Sequence, residues 1–195
     1  MDTATQRGLA PVTFQIDPSA SRFVVQAFAT GLLSVFGHNP RIAIADFDGQ
    51  VEFTPETFEK AKAKVTVQTS RMEVLDEMKR DDRKKLEQEM YGKVLDVDDF
   101  PTAVFETTNV IVRKLDQDLL AAQVTGELSF HGVTKTETFD ARAATMGSTM
   151  RVSGEFTLRQ SDYGIKPLSF AGGALRLKDE LKFTFELIAR KRDGD

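Results

Sequence analysis

Alternation of apolar and polar side chains along four segments constrains the fold of this chain more than any other feature. The segments are Lys62–Thr69, Leu119–Phe130, Thr149–Gln160 and Glu180–Arg190. In the last segment the alternate apolar positions are Leu181, Phe183, Phe185, Leu187 and Ala189. A period of two is that of a β-strand with one buried face. Long strands of this kind, with no helix between most of them, predict an antiparallel sheet that closes on itself.

Other parts of the chain complete a predicted barrel. Further strands are predicted at Thr13–Asp17, Ser21–Ala29, Arg41–Phe53, Thr102–Val112 and Lys135–Ala144, and the last of the four segments is extended to Ala174–Arg190, which makes eight or nine in all. Between Met72 and Leu95 the apolar residues fall near helical spacing among dense charge, so one helical insertion is predicted over 72–95. The fold class is therefore all-β, an antiparallel eight-stranded barrel with one helical insertion. Such a barrel is filled by its own side chains or holds one small ligand.

A single domain accounts for the whole length of 195 residues, because no Pro/Gly/Ser-rich linker divides it. We expect residues 1–12 to form a flexible N-terminal tail and residues 13–191 the barrel domain. The first residues lack the apolar run of a signal peptide, so as written the chain is expected in the cytoplasm, or in the periplasm if a leader was removed. Nowhere in the sequence do about twenty apolar residues run together, so no membrane-spanning helix is predicted.

Charge and cysteine content exclude several classes of function. The formal net charge is −4 and the pI is about 5.3, which provides no basic face to neutralise nucleic-acid phosphates. There is no cysteine, so disulfides, thiolate metal sites and cysteine nucleophiles are all absent. We expect no cofactor and no nucleic-acid partner.

The two histidines are the first candidates for metal binding or acid–base chemistry. His38 and His131 both lie in turn-like sequences, and neither has a second histidine or carboxylate at ligand spacing. A zinc site needs three or four converging ligands, so no metal site is predicted. For His131 we expect a hydrogen bond to nearby backbone. His38 is either a similar turn residue or, beside Phe36 and Pro40, part of the rim of the barrel mouth.

Nucleophilic and carboxylate chemistry find little support in the sequence. There is no G-x-S-x-G elbow, and Ser34, Ser70 and Ser161 have no base at a diagnostic spacing. Asp46 and Asp48 stand two apart on one predicted strand. They form either a solvent-facing bend or a carboxylate pair whose members perturb each other.

Glycines on the apolar faces indicate an interior with room in it. Gly126 and Gly154 each replace an inward side chain on a predicted strand. A glycine at such a position marks a bend, a bulge or a close approach of ligand or backbone. Together with fifteen phenylalanines and no tryptophan, this pattern favours an elongated apolar cavity. Recognition in such a cavity depends mostly on shape and burial.

Short fragments in a fixed order resemble a known family. They are Phe14-Gln15-Ile16-Asp17 with Ser21 and Phe23, Gly37-His38-Asn39, Phe47-Asp48-Gly49, Phe100-Pro101 with Phe105, Gly126-Glu127-Leu128, His131-Gly132-Val133-Thr134 and Ser161-Asp162-Tyr163-Gly164-Ile165. Over nearly its whole length the chain resembles the YceI-like family, the lipocalin-like barrels that bind polyisoprenoid or other long-chain lipids. The resemblance implies an apolar tunnel, no catalysis and often a homodimer. The charged region Lys79–Met90 is longer and more helical than the family's usual segment.

The leading hypothesis is non-enzymatic binding, sequestration or transport of a polyisoprenoid, an isoprenoid quinone or a fatty acyl amphiphile in the barrel. Met78, with Arg80 and Asp81, is carried over from the family's corresponding segment. The predicted ligand-binding residues are Phe23, Phe28, Phe36, His38, Val67, Met78, Phe105, Leu128, Phe130, Phe156, Leu158, Phe183 and Phe185.

Two other hypotheses remain open from the sequence. One is a small barrel enzyme in which His38, with Asp46 or Asp48, acts as a general base on an apolar substrate. The other is an interaction or stress-related protein whose barrel is filled and whose outer surface contacts a partner. Cavity volume distinguishes the second from a ligand binder, because a filled barrel cannot accept a chain.

Overall fold

Fourteen strands and one helical insertion build the protein in a computed structural model that describes residues 10–31, 39–55, 58 and 60–192. The strands are β1 Val12–Ile16, β2 Arg22–Gln26, β3 Ala29–Thr30, β4 Arg41–Ile44, β5 Phe47–Phe53, β6 Lys62–Gln68, β7 Met72–Val74, β8 Thr102–Lys114, β9 Leu119–Phe130, β10 Val133–Met146, β11 Thr149–Arg159, β12 Ser169–Phe170, β13 Leu175–Leu177 and β14 Glu180–Lys191. The helical insertion is α1, Arg80–Glu89, continued by a π-helical turn over Met90–Val94. Short 3-10 turns cover Pro18–Ala20, Gln160–Tyr163 and Ala171–Gly173.

Eight of these strands close into an antiparallel barrel, as predicted. Their order is β1-β5-β6-β8-β9-β10-β11-β14, and β14 pairs back with β1. At the closure Phe14 lies opposite Lys191 and Ile16 opposite Ala189. Strands β2, β4 and β7 pair onward from the N-terminal half of β14, as continuations of β1, β5 and β6. Closure removes the free edges that an open sheet of this size would expose.

The predicted long strand Arg41–Phe53 is interrupted in the middle, near the position expected for a bend. Strands β4 and β5 are separated by Ala45 and Asp46. The backbone there is still hydrogen bonded, since the Gln68 amide donates to the Asp46 carbonyl at 2.9 Å. Asp46 and Asp48 are both exposed, so the two carboxylates face solvent.

The insertion begins later than the sequence pattern predicts. Met72 and Val74 are buried and Glu73 is exposed, and Val74 lies opposite Ile42 of β4. A three-residue strand is too short for its alternation to be distinguished from helical spacing, and pairing with β4 decides its structure. The helix itself covers residues 80–94. No described helix has both the length and the apolar character needed to cross a bilayer.

The predicted strand Ala174–Arg190 is also divided. Strand β13 belongs to a separate three-stranded sheet of order β12-β13-β3, and β14 begins after Lys178 and Asp179. The prediction of a flexible tail over residues 1–12 stays a prediction. Its first nine residues lie outside the described part, and β1 begins at Val12.

One end of the barrel is filled by large side chains. The rings of Phe14 and Phe53 stack with centroids 5.7 Å apart, and Phe53 stacks on Phe58 at 5.6 Å. Met150 is 3% exposed beside them. We call this the closed end of the barrel, defined by Phe14, Phe53, Phe58 and Met150. The helical insertion lies toward the other end, where β7 continues the sheet from the N-terminal half of β14.

Candidate functional site

An internal cavity of about 250 Å³ occupies the barrel between the closed end and the helical insertion. Inward side chains of the barrel strands form most of its wall. The insertion contributes Leu86, Met90, Val94 and Leu95. Because alternate strand residues point inward, the alternating pattern in the sequence becomes a continuous apolar wall.

Aromatic rings in mutual contact cross this wall. Centroids are 5.4 Å apart for Phe105 and Phe139, 5.0 Å for Phe139 and Phe156, and 6.3 Å for Phe23 and Phe183. These separations lie within the range at which aromatic pairs attract each other. We call this set the phenylalanine belt, defined by Phe23, Phe105, Phe139, Phe156, Phe183 and Phe185.

Gly126 and Gly154 make room for rings of the phenylalanine belt. A Cβ atom at Gly154 would lie 2.6 Å from Cζ of Phe185, and one at Gly126 would lie 2.6 Å from Cζ of Phe105. A backbone carbonyl oxygen would also be close in each case, that of Asp140 at 2.8 Å from the Cβ at Gly154 and that of Glu106 at 2.6 Å from the Cβ at Gly126. The space expected from these glycines is therefore taken by phenylalanine rings packed on bare backbone. Of the alternatives given for these glycines, the structure shows a close approach of other parts of the protein to the glycine backbone.

Nine of the thirteen predicted ligand-binding residues lie in the cavity wall. They are Phe23, Val67, Phe105, Leu128, Phe130, Phe156, Leu158, Phe183 and Phe185. Phe28 and Met78 are half-buried and lie outside the wall. The Phe28 ring lies 6.0 Å from Nζ of Lys178, and Met78 lies between β7 and α1. Phe36 and His38 lie outside the described residues. Ligand contact by any of the thirteen stays a prediction.

Sequence reasoning missed Phe139 and the wall residues of the insertion. Phe139 occupies one of the alternate positions of β10 that point inward. Lys135 and Glu137 lie on the same side of the strand and obscure the alternating pattern. The structure shows why charges are tolerated there. Nζ of Lys135 lies 3.0 Å from Oδ1 of Asp162, and Glu137 accepts a hydrogen bond from the hydroxyl of Tyr163 at 2.6 Å.

Gln160 was also missed, and it is the one polar side chain among the described residues of the wall. It is 5% exposed, and its Nε2 donates to the carbonyl oxygen of Lys178 at 2.9 Å. The neighbouring Asp179 carboxylate accepts hydrogen bonds from the Ser161 hydroxyl at 2.6 Å and the Ser161 amide at 2.8 Å. These bonds, joined by one from Arg159, lower the pKa of Asp179. A neutral amide therefore faces the cavity beside an ionised carboxylate with its own partners.

His131 has a structural role consistent with the expected bond to backbone. Its Nδ1 lies 3.2 Å from the carbonyl oxygen of Tyr163, which is 32 positions away in the sequence. The ring packs on Phe100 with centroids 4.3 Å apart. Tyr163 is 1% exposed, and burial together with its bond to Glu137 raises the pKa of its phenol well above the ordinary range. This cluster joins the β9–β10 turn to the turn that carries Gln160.

Tyr91 attaches the insertion to the barrel. Its hydroxyl donates to the carbonyl oxygen of Met72, and burial, followed by the nearby charge of Glu87, raises the pKa of the phenol. The Val74 amide lies 3.4 Å from Oε1 of Glu87. In the described part of the chain no three metal-binding side chains come together. The cavity wall is suited to apolar contact, with one site for a hydrogen bond.

A family model described as the YceI-like domain matches residues 14–189 of this sequence. The chain belongs to the YceI-like domain family. UPF0312 proteins of Pseudomonas paraeruginosa and Pseudomonas aeruginosa are each 35% identical to it over 127 residues, which make up 62% of this chain and 61% of each relative. The match thus spans less than two thirds of the length of these curated relatives.

Solved structures share the fold of this YceI-like domain. Burkholderia cenocepacia BcnA has a TM-score of 0.70 at 19% identity, over 89% of this chain and 98% of that protein. A polyisoprenoid binding domain from Saccharophagus degradans, implicated in plant cell wall breakdown, has a TM-score of 0.67 at 12% identity, over 92% and 98%. The YceI protein of Campylobacter jejuni has a TM-score of 0.61 at 16% identity, over 80% and 88%.

Proposed function

We propose that this YceI-like barrel binds a long-chain apolar ligand in its cavity without catalysing a reaction. The ligand classes are a polyisoprenoid, an isoprenoid quinone or a fatty acyl amphiphile. The observation that carries the proposal is the wall itself, in which every described side chain except Gln160 is apolar. Each buried methylene group of a ligand would contribute about 0.8 kcal/mol, without any directional contact. Selectivity among chains of similar width should therefore be loose.

The relatives support the same ligand class. The Saccharophagus degradans domain with this fold is a polyisoprenoid binding domain, and its similarity covers 92% of this chain. Fold alone does not transfer a ligand, because function depends on the site. The apolar wall of this chain is the independent support, since it has the chemistry that a prenyl or acyl chain requires.

The cavity size indicates how such a ligand would be held. Its volume of about 250 Å³ is near the lower limit of drug-sized pockets, about 300–1,000 Å³. It would hold a short chain or the terminal part of a longer one. The closed end blocks one direction, so we propose that ligands enter beside the helical insertion and the loops around Gln160.

Binding fits the described residues better than the other two hypotheses. The enzyme hypothesis required Asp46 or Asp48 beside His38, but both carboxylates are exposed and lie outside the cavity wall. The filled-barrel hypothesis required an interior without space for a ligand, and the cavity favours a binding protein instead. Transport of the ligand, a homodimer and cytoplasmic or periplasmic residence stay predictions.

Extraction of the purified protein tests the proposal. The protein is denatured, extracted with organic solvent and analysed by mass spectrometry. The Phe156→Asp variant, purified in the same way, serves as the matched control. A stoichiometric long-chain species in the wild-type extract only is the expected result.

An empty extract would contradict the proposal if added geranylgeraniol and palmitic acid also failed to raise the melting temperature. A ligand that binds only the folded state must raise that temperature at concentrations above its Kd.

A further inference from the structure

Gln160 places an incompletely paired amide in an otherwise apolar wall. Its Nε2 lies 2.9 Å from the carbonyl oxygen of Lys178 and 3.5 Å from that of Asp179. Both of these partners can only accept, so the nitrogen of the amide must face them. This fixes the orientation of the group, and Oε1 is turned away from both carbonyls.

Oε1 of Gln160 has no donor among the described residues. Gln160 is 5% exposed and belongs to the cavity wall, so the cavity is the open space next to its amide. A carbonyl oxygen facing an apolar cavity is unfavourable until a donor reaches it.

The surroundings of Gln160 disfavour an anionic head group. The Asp179 carboxylate is ionised and accepts from Ser161 at 2.6 Å and from Arg159 at 3.2 Å. A second anion at Gln160 would lie near this charge and would lose its hydration inside the apolar wall. An uncharged donor avoids both costs.

We propose that Oε1 of Gln160 accepts a hydrogen bond from the hydroxyl group of a bound long-chain alcohol. The inference rests on the proposed function and specifies the head group of its ligand. Ethers, esters and ketones offer only acceptors and leave Oε1 unpaired. A hydroxyl group supplies the missing proton, and its chain continues into the apolar part of the cavity.

Farnesol and farnesyl methyl ether test this assignment, because they share the same chain and differ in the donor. Affinities for wild-type protein are measured by isothermal titration calorimetry. We expect farnesol to bind more tightly by a factor on the order of ten, the value of one net hydrogen bond. The extra methyl group of the ether adds apolar area, so a preference for the alcohol cannot come from burial.

The Gln160→Met variant has a side chain of similar length without the acceptor, and should bind both compounds with nearly equal Kd. Ile111→Met, a change at a side chain that is 57% exposed on β8 and lies outside the cavity wall, should retain the preference. Melting temperatures establish that both variants fold. Equal affinities of wild-type protein for the two compounds would overturn the assignment and leave the binding proposal intact. If neither compound binds, the assignment fails, and the extraction experiment above decides separately whether the proposed function fails with it.

Discussion

The rings of Phe156 and Phe183 lie parallel, with centroids 4.8 Å apart and an angle of 6° between their planes. The two residues are direct partners in the ladder between β11 and β14. Cross-strand aromatic pairs stabilise a sheet, and here the pair also forms the centre of the phenylalanine belt. One side of the cavity is thus built from the same contacts that hold two strands in register.

A charge introduced into this pair should abolish ligand retention. In the Phe156→Asp variant a carboxylate would replace a ring in the apolar wall, and its desolvation would oppose occupation of the cavity by a chain. We expect no long-chain species in native mass spectra of the variant. Ile111→Asp is the matched control, because Ile111 is 57% exposed on β8. It should fold and retain ligand, and ligand in both variants would show that Phe156 does not bound the binding space.

Replacement of Gly154 by alanine should destabilise the barrel. The new Cβ would lie 2.6 Å from Cζ of Phe185 and 2.8 Å from the carbonyl oxygen of Asp140, and the backbone atom cannot move away easily. Overpacking of this kind costs about 1–3 kcal/mol of the free energy of unfolding. Urea denaturation measures the change.

Gly92→Ala is the matched control for that substitution. Gly92 lies in the π-helical turn, and a Cβ atom added there would meet no other atom within 4 Å. Alanine there should stabilise the protein by about 0.5–1 kcal/mol, because glycine loses more backbone entropy on folding. Equal effects at the two positions would contradict the close packing of Phe185 on Gly154.

High pH should destabilise the protein through Tyr163. Its pKa is raised in the folded state, so the folded protein retains the phenol proton where the unfolded chain has lost it. The stabilisation is therefore complete below the unfolded pKa of about 10 and declines as the pH rises above it. Tyr163→Phe should unfold with a weaker dependence on pH above that point. Denaturation at a series of alkaline pH values checks this, and an unchanged dependence would refute it.

Low pH should loosen the turn that carries Gln160. The pKa of Asp179 is lowered in the folded state by hydrogen bonds from Ser161 and Arg159. Its contribution is present above the unfolded pKa of about 3.9 and is lost as the pH falls through the lower folded value. Asp179→Asn should reduce the stability difference between neutral and acidic pH. The control is Gln117→Ala in the exposed β8–β9 hairpin, which removes no titratable group and should leave that difference unchanged.

Long elements were predictable from the sequence because alternation over ten or more residues has one structural meaning. Strands β9, β11 and β14 follow that pattern closely. Strand β7 was not predicted, because three residues cannot establish a period. Its pairing with β4 determines its structure. The positions of Gly126 and Gly154 were recognised from the sequence, but the rings packed against them were not predicted. The ring over Gly154, for example, belongs to Phe185 on the neighbouring strand β14.

The candidate site was predictable where single strands determine it. Alternation along β11 and β14 identified Phe156 and Phe183 as inward residues. Phe139 was missed because charged residues occupy other positions on the same side of its strand. Gln160 carries no local signal at all. Its role depends on the carbonyl of Lys178, which the pairing of β11 with β14 brings close.

The closed end also bears on the direction in which a chain can move in the barrel. Stacked rings of Phe14, Phe53 and Phe58 stop the interior on one side. A chain that enters from the opposite end, as we propose, would go in by its apolar tip, so its polar end would be the last part to enter and the first to leave. A membrane or protein that exchanges such a molecule would then meet the barrel at that end.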